Sequence, residues 1–382
     1  MFRCLKTQKN RHSTKIADQS NDIVSFFCNF APSYALIAIS NHILAYQSVV
    51  LTASITIVFN VLLHHHLMLN RRSLRIKVLQ CLYAHEQNNT YRLIDLQKLL
   101  QRSVNNFHRL YHYQLFVIRQ IAEYTTEDIR RRENKHLRTE ADKNVSDKLL
   151  NNPIIEQLLK NEALNKIILN EKLAAHTNEE TIKKLYQELT TTNSFTQYSS
   201  KQTLTLKDHT EIIRALLTEV MHKNLSYQEQ LDDIFINYLD DKDLVNSLTL
   251  QAINSFADND NTLPITTDST DLIEKMQFGN DLMARTLENA QQFKDLIAPQ
   301  LKNWELDRIA LIDNILLRMA LCELMFFPNI PLKVTINEYV DIAKLYSTPK
   351  SKEFINGILD KMMKKLVNEG HIKKLGRGMA GF

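Results

Sequence analysis

The first 278 residues of this chain contain no glycine, and that absence constrains the fold more than any residue that is present. Glycine usually makes up about 7% of a globular sequence, yet only six occur among these 382 residues, beginning at Gly279. A P-loop or a dinucleotide-binding turn needs glycine wherever backbone must come close to phosphate. Tight hairpins need residues that accept positive φ. Neither cofactor motif fits into residues 1–278, and a strand-rich fold would lack its turns. The hydrophobic fraction of 44% and charged fraction of 24% are ordinary for a globular protein. These features predict an all-α chain.

The sequence offers no catalytic or metal-binding set. Cys4, Cys28, Cys81 and Cys322 are far apart and lack the paired spacing of zinc or redox motifs. Cys81 and Cys322 lie in apolar helical patterns, where a thiol acts as a small buried hydrophobe. His64, His65 and His66 are consecutive, so on a helix they point in different directions and make a poor ligand set. No nucleophile–base pattern stands out. These patterns name no metal or cofactor, and the cysteine usage fits a reducing cytoplasm.

Charge is unevenly placed. The net +4 divides into +3 over residues 1–67, +3 over 68–87, −7 over 88–349 and +5 over 350–382. Basic segments flanking an acidic middle point to a localised anionic partner, or else to solvated lysine-rich helix faces.

Residues 1–67 differ from the rest. No Asp, Glu, Lys or Arg occurs between Asp22 and Arg71, and 43–63 is apolar and long enough to span a bilayer, although six polar residues interrupt it. The preferred reading takes Met68 as the true start and 1–67 as an N-terminal extension outside the native fold. The alternative is a membrane-tethered helical adaptor anchored by 43–63.

From Leu69 the pattern turns helical. Leu74, Val78, Cys81 and Leu82 recur on one face, while Arg72, Arg75, Leu79 and Tyr83 share another within roughly 80°. Amphipathic runs follow over 91–123, 153–175, 178–190, 207–222, 226–252, 271–299, 305–326, 335–346 and 351–368, with polar joints at 191–202 and 257–270. Pro328 and Pro331 end one helix and set an extended connector. The last run points Ile355, Leu359, Met362 and Leu366 inward, and its mid-helix Gly357 marks close approach by another helix, the preferred reading, or by a ligand.

Three segments carry a resemblance: LIDNILLRMALCEL (311–324), IPLKVTINEYVDIAK (330–344) and SKEFINGILDK (351–361). In order and spacing they resemble the C-terminal half of the NusB family of bacterial transcription antitermination factors. NRRSLRIKVLQCLYAHEQ (70–87) is similar to the family's first helix, and 278–304 to the helix before its C-terminal half. The resemblance implies two packed helical bundles of NusB type, with 68–87 and 270–382 as the core and 88–269 as a large helical insertion. Ordinary members have only a few tens of residues there. It also implies a non-enzymatic factor that binds boxA-like single-stranded RNA of nascent ribosomal RNA operon transcripts, together with NusE, a small-subunit ribosomal protein, within the RNA polymerase antitermination complex.

Unpaired RNA needs cations for its phosphates and flat side chains on which bases can stack. The first helix offers Arg71, Arg72, Arg75 and Tyr83; by resemblance the last helix faces the same RNA with Lys350, Lys352, Phe354 and Asn356. Lys350 stands where many relatives have an acidic residue. Asn337 and Glu338 either contact NusE or brace the connector. Arg318 and Glu323, charged exceptions on an apolar helix, fit an internal pair or an exposed partner edge.

Overall fold

Local sequence sets most helix starts. The computed structural model describes residues 69–379 apart from 89, 138, 140–145, 257–268 and 302–308. The expectations for 1–67, including the 43–63 run and the histidine triplet, lie outside the described residues, as does most of the 257–270 joint. Among the described residues there is no strand, and no helix is long and apolar enough to cross a membrane.

Fourteen α-helices occur among the described residues. Helix α1, Arg71–Gln87, starts at Asn70, whose side chain accepts the Ser73 N–H at 2.8 Å, a cap of the kind that contributes about 1 kcal/mol. Helix α2, Leu93–Glu133, is a single rod of 41 residues, about 60 Å at 1.5 Å per residue. It overruns the expected end at 123 because the cluster at 130–132 turns back on its own helix. Arg131 and Arg132 both bond the buried Asp128, at 2.6 and 2.8 Å.

Asparagine and threonine caps break the stretch from 153 to 255 more often than expected. Asn161 ends α3 (Pro153–Lys160) and caps α4 (Glu162–Asn170), splitting the run at 153–175. The polar joint at 191–202 holds a helix of its own, α6 (Asn193–Ser200), capped by Thr192 after α5 (Glu179–Thr191). Helix α7 (Leu206–Ala215) widens into a π-helical turn at Leu216–Met221. The run at 226–252 is two helices, α8 (Leu225–Ile234) and α9 (Tyr238–Ser255).

Next come α10 (Ser269–Glu288), α11 (Ala290–Ile297), α12 (Leu311–Phe326), α13 (Leu332–Tyr346) and α14 (Ser351–Asn368). Pro331 caps α13 in extended geometry, as the proline spacing predicts. The helices pack as two bundles. One joins α1 with α10 and α12–α14; the other is built from α3–α9, and α2 runs between them against α1, α10, α5 and α9. The expected inward residues of α1 and α14 are buried, as are both described cysteines. Burial pushes the Cys81 and Cys322 thiols up to about 12, which leaves them unreactive.

Candidate nucleic-acid interface

The first two turns of α1 are an ionic seam. Arg72 forks onto Glu338 at 2.8 and 2.9 Å and reaches Asp341 at 2.9 Å. Arg75 forks onto Glu323 with two bonds of 2.8 Å and touches Glu338 at 3.2 Å. Glu323 also accepts from Thr335 at 2.8 Å and from the Tyr339 hydroxyl at 3.2 Å. The seam ties α1 to α12 and α13. Burial opposes the Arg75 charge, but the Glu323 carboxylate outweighs it and holds the guanidinium above its ordinary pKa.

Three expected site residues are therefore reassigned. Arg75 is 2% exposed and Glu323 fully buried, so neither can meet RNA or a protein partner directly. Arg318 is also buried and spends its charge on Glu86 at 2.6 Å. The helix wheel grouped Arg72, Arg75 and Tyr83 correctly. It could not show that α12 and α13 cover the first half of that face. Arg72 keeps partial exposure but is neutralised by two carboxylates, while Arg71 is exposed with its guanidinium 5.3 Å from the Phe278 ring centre.

The other end of α1 is open. Tyr83 is 40% exposed. Helices α1 and α12 run antiparallel, since Arg75 meets Glu323 while Glu86 meets Arg318. Asp313, near the start of α12, therefore lies toward the C-terminal end of α1. It accepts hydroxyls from Ser347 at 2.6 Å and Ser351 at 2.7 Å, which fixes the start of α14 at that same end. There Lys350, Lys352 and Asn356 are exposed, and Phe354 is half-buried against the core. Lys352 also lies 3.0 Å from its neighbour Glu353. Gly357 has open space where a Cβ would point, so the expected helix packing against it does not occur. On α13, Asn337 is exposed and Glu338 half-buried in the arginine seam.

A residue of α9 that the sequence gave no reason to single out joins α1 to the end of α13. Asp240, at the start of α9, accepts from Gln80 of α1 at 2.6 Å and from the Tyr346 hydroxyl of α13 at 2.8 Å. Asn237 also donates to Gln80 at 3.1 Å. Beneath them Lys77, 1% exposed, is held by Asp241 at 2.8 Å and Ser103 at 3.1 Å. The acidic run at 240–243 was the only signal, and it reads as an exposed helix start. Among the described residues no group of His, Cys, Asp and Glu side chains could hold a metal.

The comparisons place this geometry in a known family. The NusB family pattern matches residues 247–364, from within α9 into α14. The transcription antitermination protein NusB of Geobacter sulfurreducens is 43% identical over 93 residues, covering 24% of this chain and 67% of that protein. This chain belongs to the NusB family. The NusB proteins of Salinibacter ruber and Chloroherpeton thalassium are 42% and 40% identical over 104 and 107 residues. Those matches cover 27% and 28% of this chain, and span only 65% and 51% of the two relatives. A solved chain of T. maritima NusB is 27% identical, covering 40% of this chain and 84% of that one at a TM-score of 0.25, too loose a superposition to bear on architecture. All three curated relatives carry "transcription antitermination" in their names.

Proposed function

We propose that this NusB-family chain is a non-enzymatic transcription antitermination factor of the cytoplasm, which binds unpaired boxA-like RNA of nascent ribosomal RNA transcripts together with NusE, within the RNA polymerase antitermination complex. Its RNA contacts are Arg71, Tyr83, Lys350, Lys352, Phe354 and Asn356, with residues 88–269 as an insertion into the family core. One observation supports the reading: the open end of α1 is tied through Asp240 to Tyr346 at the end of α13, and the start of α14, which follows, is held to α12 by Asp313. Tyr83, Lys350 and Lys352 are exposed, and cations with an accessible aromatic ring are what a single strand needs. Exposed Gly357, one residue after Asn356, leaves room for a ligand to approach the helix backbone.

The test is fluorescence anisotropy of a labelled boxA RNA against the full chain, with and without NusE, over a salt series. Binding should be tighter with NusE, and its logarithm should fall linearly with log salt at roughly 0.7 per phosphate neutralised. Equal affinity for boxA and scrambled RNA in the presence of NusE would defeat the reading.

A further inference from the structure

Helices α1 and α13 are joined at two places, and the two are held differently. At the first, Arg72 of α1 bonds Glu338 of α13 directly at 2.8 Å. At the second, Gln80 of α1 and Tyr346 of α13 have Asp240 of α9 between them, bonded at 2.6 and 2.8 Å. The step from 72 to 80 equals the step from 338 to 346, so the two helices run parallel over roughly 12 Å. Gln80 and Tyr346 each bring a donor to Asp240, and each oxygen of its carboxylate takes one. Burial, and then the Asp240 carboxylate, push the Tyr346 hydroxyl above its ordinary pKa, so it stays a donor at neutral pH.

Asp240 is itself well fixed. It lies in the first turn of α9, where the helix dipole favours a carboxylate. Asn237, just before that turn, donates to Gln80 at 3.1 Å and to Ser103 of α2 at 2.8 Å. The next residue, Asp241, is buried against Lys77 of α1. The two side chains that Asp240 holds adjoin the two segments read above as RNA contacts. Gln80 and Tyr83 are three residues apart on one helix face, with about 5–6 Å between their Cβ atoms. Tyr346 ends α13, and Ser347 and Ser351 after it are bonded to Asp313, with Lys350 and Lys352 on either side of Ser351. Residue 240 lies outside the stretch 247–364 that matches the family pattern.

We infer that Asp240 is a positioning residue for RNA: it fixes the spacing between Tyr83 on α1 and the Lys350–Asn356 segment, so that one strand engages both. The inference rests on the RNA reading above. Its sign is opposite to that of simple charge. A carboxylate near an RNA surface repels phosphate, so on charge alone its removal tightens binding. As a clamp, its removal lets the two segments drift and loosens binding.

The experiment is anisotropy of labelled boxA RNA on the full chain with NusE, with a thermal melt of each variant to report folding. Asp240→Ala should weaken binding by about threefold to tenfold, and the salt slope should stay unchanged because no cation is lost. Tyr346→Phe, which removes a single oxygen, should weaken it less and in the same direction. Asp240→Asn, uncharged but still able to bond both neighbours, should recover part of the affinity lost in Asp240→Ala. In a Tyr83→Ala background Asp240→Ala should have little further effect, since only one segment is left to place. Binding by Asp240→Ala that equals or exceeds wild type overturns the clamp and leaves the RNA reading intact. A loss that persists in full in the Tyr83→Ala background also overturns it, as the mark of a general structural role. If wild-type protein binds no RNA, the clamp and the RNA reading fall together.

Discussion

Helix α1 begins among carboxylates and ends facing solvent. In its first turns Arg72 and Arg75 each meet a glutamate through paired hydrogen bonds, whereas Tyr83, two to three turns later, is 40% exposed. All three residues lie on one face of one helix. The difference comes from α12 and α13, whose acidic side chains Glu323, Glu338 and Asp341 cover only the N-terminal half. An arginine on an otherwise suitable face is thus an RNA ligand only after the carboxylates around it have been counted. A buried pair is committed to the fold, because losing one partner strands the other charge away from water.

The contrast can be broken most directly at Arg75. Arg75→Met leaves the Glu323 carboxylate unneutralised in the core and should cost about 3–5 kcal/mol of stability, seen as a lower denaturant midpoint. An unchanged midpoint would mean that the seam does not hold α1 in place. Tyr83→Ala should do the opposite, losing on the order of 1–3 kcal/mol of RNA affinity if a base stacks there, with little change in melting temperature. Lowered stability with unchanged RNA binding would make it a packing residue. Arg72→Ala sharpens the boundary between the two halves. It should cost about 0.2–1 kcal/mol of stability, as part-exposed pairs do, and leave the salt slope of RNA binding unmoved. A slope reduced by about 0.7 would return Arg72 to the RNA face.

Much of this was legible in the sequence, because absence of glycine and apolar periodicity act locally. The buried stripes of α1 and α14, the proline connector and the membership of a helical class all follow from spacing. What could not be read depends on meetings across the chain. Arg75 and Glu323 are 248 residues apart, and nothing near either one names the other. Asn161 falls inside the expected run at 153–175, but its side chain caps one helix where its backbone ends another. Gly357 was expected to sit under a neighbouring helix, yet faces open space. An exposed glycine and a packed one have the same letter and the same periodic position. Asp240 was illegible for a third reason: its partners Gln80 and Tyr346 lie 160 and 106 residues away, on either side of it in the chain.

The contact beneath that bridge limits how this protein can be shortened. Lys77 belongs to α1 and Asp241 to the excursion that follows it, and both are enclosed. Cutting the excursion away at its surface joints would leave an ammonium with no counter-ion in what becomes the floor of the trimmed protein. The helix that carries Asp241 is thus tied to α1 from within. A minimal version has to be rewritten at position 77 with a neutral side chain before the scissors are used.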